Sequence, residues 1–308
     1  MDDTINSLLK VINSVLLGKE HQVKLVVSCL LAKGHVLLED LPGMGKTTLS
    51  HALAHALGMD YNRIQFTSDL LPGDILGVTV YDQGKASFEF RHGPIFSQVV
   101  LGDEINRATP KAQGALLEAM EEKQVTVDGT TYPLPKPFFV IATQNPSTQM
   151  GTFPLPESQL DRFLMKISLG YPSPEVEREL IMGQDRRHMV STLETVLDSF
   201  SLLKYQLLVQ EVHLSSSVVD YIQRIVAKTR SGGVFQHGLS PRGTLGLVRA
   251  SKSWAYVSGR NHVVPEDVQA VLSSVLEHRL RGSVNHSGHE GMSLVHRLLN
   301  DVDVVSIA

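Results

Sequence analysis

Cys29 is the only cysteine among 308 residues, so the chain has neither an internal disulfide nor a cysteine-built zinc site. That usage fits a reducing compartment, and a cytoplasmic protein is expected. No apolar run approaches the length needed to cross a bilayer, and the N-terminus, Met1-Asp2-Asp3, is acidic and lacks a signal-peptide pattern. Membrane insertion is therefore not expected. A basic surplus is missing too: the net charge of −4 speaks against a constitutive nucleic-acid binder. Internal repeats and low-complexity segments are also lacking. What remains is ordinary for a globular protein, with 42% hydrophobic and 19% charged residues. The length suits one large domain or two smaller ones.

The most informative stretch runs from His35 to Thr48. Val36-Leu37-Leu38 is a short apolar run bounded by turn residues, which predicts a buried strand. Leu41-Pro42-Gly43-Met44-Gly45-Lys46-Thr47-Thr48 follows, then a helical run from Leu49 to Leu57 closed by Gly58. Strand, glycine-rich turn, Gly-Lys-Thr and helix make the arrangement of a phosphate-binding P-loop. Free backbone N–H groups at the helix start carry partial positive charge and can wrap an oligophosphate. Lys46 would reach the outer phosphates, and the Thr47 hydroxyl would ligate magnesium. The pattern departs from the consensus at its first position, where Asp40 replaces glycine; Asp tolerates unusual backbone angles better than most residues.

Upstream, helical spacing over Thr4–Leu17 and about Glu20–Ala32 predicts two helices separated at Gly18. Asn62–Phe66 reads as a strand. Asp69–Pro94 is glycine-rich with short alternating stretches at Val78-Thr79-Val80 and Phe88-Glu89-Phe90, a hairpin or loop insertion of the kind that carries function. Ser97–Leu101 predicts a buried strand, and Thr109-Pro110 an N-cap with proline at the first helical position. Asp128-Gly129 between Val125-Thr126-Val127 and Tyr132-Pro133-Leu134 signals a second hairpin. Phe138–Ala142 is another continuous apolar strand. Strands alternating with helices indicate an α/β unit with a mainly parallel sheet, whose ligands collect at the carboxyl ends of the strands. Gly45, Asp103 and Asn145 all fall just past such ends. At Gly170-Tyr171-Pro172-Ser173-Pro174 the character changes to helices, predicted at about Pro174–Met189, Ser216–Arg230, Pro241–Ser258 and Pro265–Arg281. The expected organisation is a nucleotide-binding core over 1–171 and an all-helical domain with a C-terminal tail over 172–308.

Val99-Val100-Leu101-Gly102-Asp103-Glu104 ends a strand in adjacent acids. In a P-loop ATPase the first acid holds magnesium through its water shell, and the second polarises the attacking water. Asn145 suits either orientation of that water or an Asx turn before Pro146. Arg162 and Arg242 suit phosphate recognition and surface salt bridges equally. Arg242 sits near a helix N-terminus, where a cation is disfavoured unless an anion is near. His51 and His55 are one helical turn apart, but that helix is already accounted for by phosphate binding. His278, His286, His289 and His296 are read as a solvated tail rather than a metal site.

Six strings resemble the MoxR group of AAA+ ATPases. They are Leu41–Thr47; Phe90-Arg91-His92-Gly93-Pro94-Ile95-Phe96; Asp103-Glu104-Ile105-Asn106-Arg107-Ala108; Ala142-Thr143-Gln144-Asn145-Pro146; Leu160-Asp161-Arg162-Phe163; and Leu239-Ser240-Pro241-Arg242-Gly243. The resemblance runs from about Leu16 to Arg281. It implies a P-loop core with a helical lid, ATP and magnesium as cofactors, and a homo-oligomer in the form of a hexameric ring. By the same resemblance Lys46 and Thr47 are Walker A residues and Asp103 and Glu104 are Walker B. Asn145 is the first sensor. Arg242 is the second sensor, reading the γ-phosphate from the lid, and Arg162 is an arginine finger inserted into a neighbouring site. Gly18 becomes the turn that contacts adenine, Asp69–Pro94 the family's helix-two insertion, and Val125–Leu134 its hairpin before the first sensor. His92 departs from the family, whose members often carry proline there. The implied work is chaperone-like remodelling, metal-cofactor maturation or assembly of a client protein, with a von Willebrand factor A domain protein as partner. The rival readings are a magnesium-chelatase-like motor subunit, a nucleic-acid motor and a nucleotide switch without sustained turnover.

Overall fold

The computed structural model describes residues 3–145, 151–182, 189–231, 234–281 and 294–304. Two N-terminal helices, α1 (Asp3–Val15) and α2 (Glu20–Leu31), lead into β1 (Val36–Glu39). Then come α3 (Lys46–Ala56), β2 (Tyr61–Gln65), α4 (Pro72–Leu76), and the strands β3 (Gly77–Asp82), β4 (Ser87–His92) and β5 (Val99–Asp103). A single-turn helix at Ile105–Arg107 precedes α5 (Pro110–Glu122), which is followed by β6 (Gln124–Val127), β7 (Thr130–Pro133) and β8 (Phe139–Gln144). The core closes with α6 (Glu157–Leu160) and β9 (Met165–Ile167).

The main sheet is parallel throughout, in the order β2-β5-β8-β1-β9. The order explains the sequence pattern. β1, β5 and β8 are the three interior strands; Val36 to Leu38, Val99 to Asp103 and Phe139 to Thr143 are buried on both faces, so these strands read as continuous apolar runs. β2, at an edge, buries only Ile64. Two antiparallel hairpins project from this core. The β6–β7 turn places Asp128 at φ +50° and Gly129 at φ +79°, the positive angles that a tight two-residue hairpin turn requires. The two hairpins touch through a stack of Phe90 on Tyr132 with ring centroids 4.2 Å apart.

Beyond β9 the described elements are helical. These are α7 (Pro174–Met182), a turn at Val190–Thr192, α8 (Ser199–Glu211), α9 (Ser216–Arg230), α10 (Pro241–Val257), α11 (Pro265–Leu276) and α12 (Leu294–Asp301). Ser215 and Ser240 cap α9 and α10 by accepting from the N–H groups of Val218 and Gly243. The α11 helix starts at Pro265 as expected and ends at Leu276, short of Arg281; Asp267 caps it by accepting from the Val264 N–H at 2.9 Å. The 183–188 stretch of the expected 174–189 helix lies outside the described residues. Helices α8 and α12 were not foreseen. α8 and α10 pack against α2, and their buried side chains join those of α1 and α2 in one apolar cluster. Ser253 Oγ and Gln206 Nε2 add buried hydrogen bonds to the α2 carbonyls of Ser28 and Leu30, at 2.7 and 2.9 Å.

Candidate functional site

A cavity of 940 Å³ opens where α3 begins, at the carboxyl end of the central strands. That volume lies near the top of the usual range for small-molecule sites, roughly 300–1,000 Å³. Pro42, Gly43, Met44, Gly45, Lys46, Thr47 and Thr48 all line it. Gly43 and Gly45 hold φ +87° and +90°, a region in which a side chain costs energy. Gly45 also abuts the α1 end, since a Cβ there would meet Leu16 at 3.1 Å. The loop thus lines the cavity at the start of an eleven-residue helix, where free backbone N–H groups favour an anion. Burial lowers the Lys46 pKa, while the surrounding carboxylates, Asp40 first, raise it. Its ammonium donates to the Asp40 carbonyl at 2.7 Å.

Asp40 itself stands outside the left-handed region, so this position of the loop has no need of glycine. Its buried carboxylate accepts from Ser168 Oγ at 2.7 Å and from the Leu169 and Gly170 N–H groups at 2.5 and 3.2 Å. The departure from consensus thus fastens the P-loop to the segment that follows β9. Lys19 holds the same segment from the other side, donating to the Gly170 and Tyr171 carbonyls at 3.0 and 2.8 Å. Leu17 and Lys19 line the cavity. Gly18 between them has φ +65° and backs onto Val176, so the turn faces the cavity through its neighbours.

Asp103, Glu104 and Asn145 reach the cavity from the ends of β5 and β8. Thr143 joins them: its hydroxyl donates to Asp103 Oδ1 at 2.6 Å and accepts from the Glu104 N–H at 2.8 Å. Glu104 has φ +56°, a conformation rare for a residue with a side chain and one that clusters at functional sites. Its carboxylate is held by Asn145 Nδ2 at 3.0 Å, Arg107 at 2.8 Å and Gln65 at 3.2 Å. Asn145 Oδ1 is buried without a hydrogen-bond partner. Pro146, and with it the Asx-turn reading, lies outside the described residues.

Two residues here escaped the sequence reading. Arg63 forms an ion pair with Asp103 at 2.5 Å and donates to Gln65 Oε1 at 2.7 Å. Side chains two apart on a strand share a face, and β2 pairs with β5 so that Gln65 lies opposite Asp103. The available signal was therefore the period of β2, once its neighbour in the sheet is known.

Magnesium fits this donor set. The ion keeps several waters and takes one or two protein oxygens alongside substrate phosphates. Thr47 and Asp103 supply such oxygens, and Arg63 already places a cation against Asp103. Among the described residues, no cluster of three or more His, Cys, Asp or Glu side chains forms a separate metal site.

Arg162 and Arg242 do not line the cavity. Both sit on Glu121, at the C-terminal end of α5. Arg162 pairs with it at 3.1 Å and donates to the Leu117 carbonyl at 2.6 Å; Arg242, from the first turn of α10, pairs with the other carboxylate oxygen. Arg242, expected to read the γ-phosphate from the lid, therefore stands on Glu121 and away from the cavity in this conformation. Packing of α10 along α2 and the pull of Glu121 hold it beside Arg162 instead.

The histidine reading also changes. His278 is not in a solvated tail: it is buried, contacts the Phe163 carbonyl at 3.0 Å, and burial holds its pKa well below the ordinary value. His296 is exposed on α12, and His286 and His289 lie outside the described residues. His51 packs edge-on against Tyr61, with centroids 4.3 Å apart.

Comparison with known proteins follows the same lines. The profile of the "ATPase family associated with various cellular activities (AAA)" matches residues 35–165, and that of the AAA lid domain matches residues 227–298. YeaC of Bacillus subtilis is 47% identical over 95% of the chain and 92% of its own length. Chaperone MoxR1 of Mycobacterium tuberculosis is 42% identical over 87% of the chain and 73% of its own length. A crystal structure from Cytophaga hutchinsonii superposes with a TM-score of 0.87 at 36% identity, covering 99% of this chain and 96% of that one.

Proposed function

The chain belongs to the MoxR family of AAA+ ATPases, and from that membership we propose that it hydrolyses ATP to remodel, mature or assemble a partner protein. The observation that carries the reading is the convergence of Lys46, Asp103, Glu104 and Asn145 on one cavity at a helix N-terminus. Lys46 meets the outer phosphates, whose charge compensates the ammonium for its burial. Magnesium, held by Thr47 and Asp103, would supply neutralisation of the phosphate charge. Water attacks the γ-phosphorus, its proton passes to Glu104, and ADP departs with the bond to the β-phosphate oxygen broken. Asn145 orients Glu104 by donating its amide N–H to the carboxylate. Glu104 must leave Arg107 to accept the proton.

Arg162 and Arg242 share one carboxylate, so they are best placed to serve one anion together. We assign that anion to a neighbouring subunit: its γ-phosphate displaces Glu121 when an ATP-loaded copy docks. A surface on one subunit meeting a different surface on the next generates a ring when the rotation closes, here proposed as a hexamer. The division into a core over 1–171 and a lid over 172–308, the cytoplasmic setting and a von Willebrand factor A domain partner belong to the same proposal. A role in metal-cofactor insertion is one form that the client's maturation takes.

The test separates binding from turnover. Glu104→Gln keeps the shape of the site and removes the base, so it should bind ATP as the wild type does and release phosphate at least 10²-fold more slowly, the usual scale of a general base. Equilibrium ATP binding and phosphate release with magnesium measure the two. Near-normal release would take Glu104 out of its role. A trapped Glu104→Gln protein also retains its client for identification.

A further inference from the structure

We infer that Arg279 is a positioning residue for the catalytic arginines, fixing Arg162 and Arg242 from the lid of their own subunit. The inference rests on the inter-subunit reading of those arginines. Arg279 follows α11, and its side chain is 5% exposed. Its guanidinium pairs with Asp161 at 2.6 Å. It also donates to the carbonyls of Asp161 at 3.2 Å, Phe163 at 2.5 Å and Leu164 at 3.1 Å, and to that of Val275 in the last turn of α11. The bonded carbonyls therefore flank Arg162 on both sides. His278 adds a contact to the Phe163 carbonyl at 3.0 Å.

The second arginine is tied to the same point. Ser240, the N-cap of α10, donates to the other oxygen of Asp161 at 3.4 Å, and Arg242 lies two residues on. One ion pair, buried on its arginine side, thus ties the backbone at Arg162 to the start of the helix that carries Arg242. Burial lowers the Arg279 pKa while Asp161 raises it. A lysine cannot replace this contact, because a planar fork with five donors serves acceptors that an ammonium cannot reach together. A displacement of about 1 Å in a positioned catalytic group costs on the order of 10²-fold in rate.

The test uses the full chain and mixed oligomers. Arg279→Lys should bind ATP with unchanged affinity and hydrolyse it on the order of 10²-fold more slowly. Mixing with Lys46→Ala subunits, which lack a working P-loop but keep their arginines in place, should restore activity; mixing with Arg162→Ala subunits should not. Asp161→Asn keeps the size of the carboxylate and should behave alike, so it serves if Arg279→Lys fails to fold. A lid that is merely loosened would be defective within its own subunit, and no partner would repair it. Full hydrolysis in both variants, loss of ATP binding in both, or a defect that Lys46→Ala subunits repair in Arg162→Ala but not in Arg279→Lys each overturn the inference. Failure of Lys46→Ala to repair Arg162→Ala itself refutes the inter-subunit reading, and this inference falls with it.

Discussion

The cavity beneath the P-loop and the arginine pair on α5 are both charged, but they are built differently. At the P-loop, Lys46 is buried, bound to a carbonyl, and faced by acids that need a cation of their own. Asp103 and Glu104 are met by Arg63 and Arg107, as though holding places for other groups. Every part of that site comes from one chain. On α5, two guanidiniums already share Glu121, and the P-loop cavity does not include them. On the proposed reading, the first region binds the nucleotide and the second supplies charge to a neighbour's site, so a single chain is expected to bind ATP and hydrolyse it slowly.

The largest effect should come from the P-loop side. Lys46→Ala should abolish ATP binding and hydrolysis together, because the ammonium contacts phosphate in both ground and transition states. Retained affinity, measured by equilibrium binding, would mean that the cavity is held by the base and not by the phosphates, which would break the comparison.

A smaller effect concerns what supports the sheet that both regions share. His35, fully buried, accepts from the Val140 N–H at 3.0 Å, and burial lowers its pKa from 6.5 to about 4. Its folded-state pKa lies below its unfolded one, so its contribution is complete above pH 6.5 and is lost as pH falls from 6.5 toward 4. His278 acts in the same direction. Urea unfolding between pH 7.5 and 5 should show falling stability, with His35 contributing roughly 3 kcal/mol over its whole window. A flat profile would contradict the buried neutral ring.

The smallest effect belongs to Glu121. Its pairs with Arg162 and Arg242 are partly exposed, and such pairs contribute at most about 1 kcal/mol. Glu121→Gln should leave the thermal midpoint nearly unchanged and ATP affinity unaltered. A large fall in stability would make the two arginines structural and dissolve the contrast.

Much of this was legible before the structure, for physical reasons. β1, β5 and β8 are buried on both faces and read as apolar runs; the Asp128-Gly129 turn demands positive angles; Thr109 caps its helix. Helix α8 escaped because its apolar residues surround it: Leu202 and Val209 are buried while Phe200 and Leu207 are exposed, so no stripe stands out. α12 has a stripe but only eight residues, after a Gly- and Ser-containing stretch. Arg63 and Gln65 depend on which strand lies beside β5, and the shared Glu121 depends on where the start of α10 meets the end of α5. Asp40 looked like a flaw in a motif until its carboxylate was seen to bind the chain after β9.

The most direct measurement mixes Arg162→Ala with Lys46→Ala. The first keeps its P-loop and lacks a finger; the second keeps its finger and lacks the P-loop. Fingers contribute on the order of 10³–10⁵ in rate in other nucleotide hydrolases, so each variant alone should be nearly inactive, the first with ATP still bound. Sedimentation with ATP should show mixed oligomers, and their phosphate release should rise well above that of either parent. Hydrolysis at the wild-type rate by Arg162→Ala alone, or mixed oligomers as inactive as their parents, would contradict a site completed by the neighbouring chain.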